Sequence, residues 1–226
     1  MNSRLVKGCN KYVLLDFDGV IYKNHFAHRM IAERSSRFCS QYLNKCSDYG
    51  LDKMHMHLYK TYGHTVIGLQ KMGFDVNVQE YNDYVFSKLN LYGMDNEFDN
   101  KKEFLDMIAH CNANGVGVYI FSNAPSNWVI PLLEKMNCEV NEGDIIEPIY
   151  LKPTEEMYDL VDERFKGDKI YFVDDNLVNF QNLYKRDNWI KIHFTDTNER
   201  YGKDLYAISR LEYVKNIVMA TKTLLV

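Results

Sequence analysis

The sequence predicts an α/β fold: a doubly wound parallel sheet interrupted by one block of helices. Three observations predict it. From about position 99 onward, short runs of β-branched and aromatic residues alternate with helical stretches of roughly ten to fifteen residues, the pattern of buried parallel strands joined by crossover helices. One further strand-like run stands near the N-terminus, separated from the others by about eighty residues of helical periodicity. The chain of 226 residues, 46% hydrophobic and 26% charged, suits one domain with an insertion or two small domains around a real core.

Composition narrows the function classes. A balance of 27 basic against 31 acidic residues, net −4, gives no basic footprint for a nucleic-acid polymer. No run is long enough to span a bilayer, and residues 1–11 lack the apolar core of a signal peptide. Five cysteines at 9, 39, 46, 111 and 138, with no C-x-x-C pair, fit reduced thiols in a cytoplasmic compartment.

Taken in order, residues 12–15 read as a buried strand running into Asp16-Phe17-Asp18-Gly19. In such sheets ligands bind beyond the carboxyl ends of the strands. The two acids therefore stand at the lip of a crevice, unless they form only a solvated Asp-Gly turn. So close a pair repels unless a cation or a proton sits between its members. Residues 27–49 then place Met30, Ile31, Arg34, Phe38, Tyr42 and Leu43 at helical spacing. Further helices are expected near 54–62, 64–72 and 78–91, with turn signals at Gly50, Gly63 and Gly73-Phe74. His55 and His57, two apart, do not share a helix face, which argues against a metal site there.

Lys101–Ala113 reads as a helix stopped by Asn114-Gly115, and 116–121 as a strand ending in Ser122-Asn123. Pro125 suits the first turn of a helix over 125–136. Residues 145–150 look extended and end at Lys152-Pro153, where the proline keeps Lys152 out of helical geometry and opens a helix over 154–164. A strand over 169–173 ends in Asp174-Asp175-Asn176, followed by a helix over 177–186, a strand over 189–194 and a closing helix over 205–221.

Four strand exits thus carry polar groups: Asp16/Asp18, Ser122/Asn123, Lys152 and Asp174/Asp175. Together they could handle a phosphate, with acids for Mg2+, a hydroxyl and amides for the oxygens, and a lysine for the remaining charge. In order and spacing, Asp16-Phe17-Asp18-Gly19-Val20, Ser122-Asn123, Lys152-Pro153 and Asp174-Asp175 resemble the four motifs of the haloacid dehalogenase-like (HAD) phosphohydrolase superfamily, over residues 12 to about 195.

The resemblance implies a Rossmann-like core of residues 1–21 and 98–226, with residues 22–97 inserted as an α-helical cap. It implies that Asp16 attacks phosphorus to give an aspartyl-phosphate, while Asp18 serves as general acid and then base. Ser122, with the backbone amides of Asn123 and Ala124, would bind phosphate oxygens, and Lys152 would neutralise charge shared with Asp16. Mg2+ would be held by Asp16, the Asp18 carbonyl and Asp174, with Asp175 behind them, orienting a metal-bound water or Lys152. Dehalogenating relatives lack the second acid and need no metal, so Asp18 points to phosphate-ester hydrolysis.

A narrower resemblance joins Leu58-Tyr59-Lys60-Thr61-Tyr62-Gly63, Gly68-Leu69 and Phe121-Ser122-Asn123-Ala124 to the pyrimidine 5′-nucleotidase branch. It implies a nucleoside 5′-monophosphate as substrate. For Tyr59, Tyr62 and Leu69 the alternative is packing within the helical block. Tyr22 and Tyr62 are candidate contacts to the leaving group. The other readings are a phosphatase of sugar phosphates or phosphoglycolate, and a non-catalytic binding module on the same scaffold.

Overall fold

The structure, a computed structural model, describes residues 10–43, 48–87, 89, 100–138, 142–197 and 205–220. Among these, β1 (Lys11–Leu15), β2 (Gly117–Ile120), β3 (Lys169–Asp174), β4 (Trp189–Phe194) and β5 (Leu205–Ile208) form one sheet in the order β2-β1-β3-β4-β5. Every pairing is parallel. The chain leaves β1 toward β2 on one side and returns past it to β3 on the other. The crevice beyond β1 and β3 is therefore the switch point at which open α/β sheets bind ligands.

The alternation along β1 shows why both faces must be covered. Val13 and Leu15 enter one apolar cluster with Phe104, Trp128 and Val214, while Tyr12 and Leu14 enter another with Tyr158, Phe165 and Phe172. The first face is covered by α5 (Lys101–Ala113), α6 (Ser126–Lys135) and α8 (Glu212–Ala220), and the second by α7 (Glu155–Arg164) and a 3-10 segment at Leu177–Leu183. Each large side chain so buried contributes about 1.5–3 kcal/mol.

Between β1 and α5 lie α1 (His25–Cys39), α2 (Asp48–Tyr62), α3 (Thr65–Lys71) and α4 (Val78–Phe86), built on a cluster of their own around Phe38, Leu58, Val66, Leu69, Tyr81 and Val85. Asn24, His64 and Asn77 cap α1, α3 and α4 with side-chain acceptors. Arg34 donates to the backbone oxygens of Val85 and Tyr84, tying α1 to the carboxyl end of α4. The block meets the core at Gly63, whose φ is +79°. A Cβ there would lie 2.9 Å from Pro153 Cδ and 3.1 Å from Asn179 Oδ1, so only glycine permits this approach.

Several local expectations are corrected. Gly50 lies inside α2 instead of marking a turn; packing of α2 against its neighbours outweighs the roughly 1 kcal/mol that an interior glycine costs. The expected closing helix over 205–221 divides into edge strand β5 and α8. Residues 145–150 supply one bridge, Ile120 to Ile145, and no strand, since Pro148 has no N–H for a ladder. The segment over 177–186 is 3-10 helix at Leu177–Leu183, and Pro125 caps α6 from outside its first turn. Parts of the helices expected over 27–49 and 78–91, together with Cys9 and Cys46, fall outside the described residues. Cys39, Cys111 and Cys138 are free and buried. Among the described residues no helix is long and apolar enough to cross a membrane.

The block also contains two buried imidazoles. Burial pushes His55 down to about 4, against an opposing pull from Asp52, and pushes His64 down to about 3, with His55 adding to the shift. In the unfolded chain both rings titrate near 6.5. The contribution of the neutral rings is therefore complete above about pH 6.5 and is lost as pH falls toward 4, by up to roughly 1.4 kcal/mol per pH unit for each ring. Carboxyl groups with raised pKa values act with the opposite sign in this window, so the loss is read by difference: in thermal melts His55→Gln should lose less stability than wild type between pH 7 and pH 4.5. An equally steep profile in the variant would refute the assignment.

Candidate active site

The ends of β1 and β3 place their acids side by side. The Asp16 N–H donates to the Val173 carbonyl at 2.9 Å, and the Phe121 N–H donates to the Leu15 carbonyl at 2.7 Å. The three strand exits are thereby locked at one level. Asp16 Oδ1 accepts from the Phe17 N–H at 2.8 Å and lies 3.1 Å from Lys152 Nζ. Lys152, 1% exposed, also donates to Asp174 Oδ2 and to the Phe121 carbonyl, each at 2.7 Å. Burial disfavours its charge, but Asp16 and Asp174 outweigh that and hold its pKa above the ordinary lysine value. Its ammonium is fixed.

Asp174 is wholly buried, and both its oxygens are engaged. Asn179 Nδ2 donates to each at 2.9 Å, and the Asn176 N–H donates to Oδ1 at 2.8 Å. Burial pushes Asp174 up to about 6 in spite of Lys152, and the charge of Asp16 adds to the rise. Asp175 opens onto the cleft, yet the protein packed around it and the charges of Asp174 and Asp16 raise its pKa well above the carboxylate range. Its backbone carbonyl accepts from His193 Nε2 at 2.9 Å, which places the ring proton on that nitrogen.

One carboxylate oxygen from each of Asp16, Asp174 and Asp175 lies within 4.8 Å of the other two. Ionised together, three acids facing one ammonium would carry an excess of negative charge, which adds to the rise at Asp174 and Asp175, and all the donors are hard oxygens. That set fits a divalent cation such as Mg2+.

Asp18 stands further out, with Oδ1 accepting from Trp128 Nε1 at 3.4 Å and 3.6 Å from His28 Nε2. Gly19 turns the chain at φ +88°, and a Cβ there would lie 2.2 Å from Asp175 Oδ2. Gly19→Ala should therefore displace Asp175 and cut turnover by about 100-fold or more, with a smaller loss of stability. Steady-state rates and thermal melts on one preparation check this; near wild-type turnover would refute it.

Ser122 is buried, and its Oγ accepts from the Ala124 N–H at 3.2 Å. Asn123 brackets the backbone of Lys152: its Oδ1 accepts from the Lys152 N–H at 2.8 Å, and its Nδ2 donates to the Lys152 carbonyl at 3.0 Å. The Lys152-Pro153 peptide bond is cis. Above these groups lies a cavity of about 1080 Å³, walled by the strand exits below and by α1, α2 and α4 above.

A model of haloacid dehalogenase-like hydrolases matches residues 11–181. The chain belongs to that family. Among solved structures, a HAD hydrolase of family IA, variant 3, from Entamoeba histolytica is similar at 14% identity and a TM-score of 0.60, over 94% of this chain and 99% of that one. The HAD-hydrolase YfnB of Bacillus subtilis, bound to magnesium, is similar at 15% identity and 0.53, over 93% and 99%. A HAD phosphatase of Thermococcus onnurineus is similar at 15% and 0.51, over 92% and 97%. No curated protein sequence matches the chain.

In this HAD-like hydrolase the cavity brings together Asp16, Asp18, Ser122, Asn123, Ala124, Lys152 and Asp175, with Asp174 directly beneath. Tyr22 is placed elsewhere: it is wholly buried and packs between Phe17 and Trp128. Tyr62 packs against the interior of the helical block and does not line the cavity. Tyr59 and Tyr81 line it instead; Tyr59 shares a hydrogen bond with Asn176, and the protein packed around it and the charges of Asp175, Asp16 and Asp174 hold its phenol far above the usual range. Sequence reasoning also missed Asn179 and the bracket formed by the Asn123 side chain. The only available signal for Asn179 was its position five residues beyond Asp174.

Proposed function

We propose that this hydrolase is a Mg2+-dependent phosphatase working through an aspartyl-phosphate, with a pyrimidine nucleoside 5′-monophosphate as its substrate. The observation behind the reading is the surplus of acid around one buried ammonium: among the described residues, Asp16, Asp174 and Asp175 surround Lys152. Left to themselves these groups would repel a phosphate. Asp16, the Asp18 carbonyl and Asp174, with Asp175 beside them, would hold a divalent cation, which would neutralise the phosphoryl oxygens.

Asp16 then attacks phosphorus as the bond to the leaving oxygen breaks, and Asp18 gives that oxygen a proton. In the second half Asp18 takes a proton from water, whose oxygen displaces Asp16 and releases inorganic phosphate. Lys152 stays between Asp16 and Asp174 throughout, offsetting charge that moves onto and off the nucleophile. Ser122 and the amides beside it, at the approach to α6, receive the phosphate oxygens. Residues 22–97 act as a cap that shields the transfer from bulk water.

EDTA should abolish phosphate release from p-nitrophenyl phosphate, and Mg2+ should restore it. A purified, folded protein with no Mg2+-dependent release would favour the non-catalytic reading. A panel of phosphate esters tests the substrate: much faster turnover of sugar phosphates than of pyrimidine monophosphates would reject the nucleotidase reading.

A further inference from the structure

The cavity is much larger than a phosphate needs. At about 1080 Å³ it reaches the top of the range for small-ligand sites, ~300–1,000 Å³. Most of it must therefore receive the leaving group. Its two sides differ in charge. The core side holds the acids and Lys152; Lys23, between β1 and α1, also lines the cavity, its ammonium over the Phe194 ring and 3.9 Å from Asp196.

The side supplied by the helical block is different. Among the described residues no Lys, Arg, Asp or Glu from α1, α2, α3 or α4 lines the cavity. Its apolar surface comes from Ile31, Ala32, Met56 and Phe86. His25 and His28 line it from the start of α1, His28 Nε2 lying 3.6 Å from Asp18 Oδ1; deeper in, the polar surface is a set of buried, mutually bonded neutral groups. Ser35 Oγ and the Tyr81 hydroxyl lie 2.7 Å apart, and His55 Nδ1 is 2.9 Å from Thr65 Oγ1. His64 Nδ1 accepts the Val66 N–H at 3.2 Å in capping α3, so this ring carries its proton on Nε2. Burial keeps both imidazoles uncharged at neutral pH.

Resting on the phosphatase reading, we infer that this wall selects esters whose leaving group is uncharged, has hydrogen-bonding groups and offers an apolar face, and that it rejects leaving groups bearing a second anion. An anion pressed against the surface supplied by α2 and α4 gives up its hydration and, among the described residues, meets no lysine or arginine there. A ring with amide or hydroxyl edges can lie on Met56 and Phe86 and bond to the neutral polar groups. The same chemistry separates a nucleoside or polyol from glycolate within one reaction type.

The test compares kcat/KM, in Mg2+, for uridine 5′-monophosphate and 2-phosphoglycolate. The expected preference for the uridine ester is at least about 100-fold. Met56 is 39% exposed on α2, so Met56→Lys places a cation on the wall without burying it, and should shift the ratio toward 2-phosphoglycolate by about ten-fold or more. Wild-type values within ten-fold of each other, or an unchanged ratio in a folded Met56→Lys protein, would overturn the inference. Calorimetry on the Asp16→Asn protein reads the wall without turnover. Uridine binding at least ten-fold more tightly than glycolate supports the selection even if catalysis fails; equal or reversed affinities refute it.

Discussion

Asp16→Asn should release no measurable phosphate, a loss of at least about 10³-fold, while the folded structure survives. The amide retains an oxygen for the Phe17 N–H that Asp16 now accepts at 2.8 Å, but it has no carboxylate with which to attack phosphorus. Lys152 keeps Asp174 and the Phe121 carbonyl as partners, so no buried charge is orphaned and the melting temperature should move by only a few degrees. Rapid-quench detection of a phosphorylated protein from radiolabelled substrate, in wild type and not in the variant, separates nucleophile from bystander. Turnover near wild type in Asp16→Asn would remove the covalent mechanism.

Lys152→Met should be the most destabilising change in the site. Its side chain is 1% exposed, bonds to three oxygens and stands between two acids. Removing the ammonium leaves Asp174 wholly buried beside Asp16 with nothing to balance them. Orphaning a buried charge of this kind costs about 3–5 kcal/mol. For a chain of this size that corresponds to a fall of roughly 10 °C in melting temperature, measured in EDTA so that added cations do not mask it. Turnover should vanish as well. Lys152→Arg should not rescue it, because the planar guanidinium does not fit a slot closed by Phe121 and Phe172, whose rings lie 5.1 and 5.2 Å from the ammonium. A Lys152→Met protein as stable as wild type would mean that the acids are not both charged in the folded state.

The core of the site was legible because its residues follow apolar runs that only a buried parallel strand explains. Val13 to Leu15 and Ile170 to Val173 point at Asp16 and Asp174, and parallel registry puts the two ends at one height. The strand β5 was not legible. Leu205 and Ile208, three apart, satisfy a helical period as well as an edge strand with one buried end, and four residues are too few to decide between them. The cavity wall was hidden for a different reason. Its bonded pairs, His55 with Thr65 and Ser35 with Tyr81, join residues 10 and 46 positions apart, and no local pattern announces such meetings. Tyr22 misled because it stands two residues beyond the first motif, yet the turn closed by the Gly19 N–H and the Tyr22 carbonyl at 2.8 Å directs it into the core.

The seam at Gly63 ties substrate entry to electrostatics. The helical block rests there on Pro153, the neighbour of Lys152, and on Asn179, which grips both oxygens of Asp174. Bulk added at Gly63 would press on the supports of the buried ion pair. Because Gly63 and Asn179 also line the cavity, the joint, the acids and the substrate space form one mechanical unit.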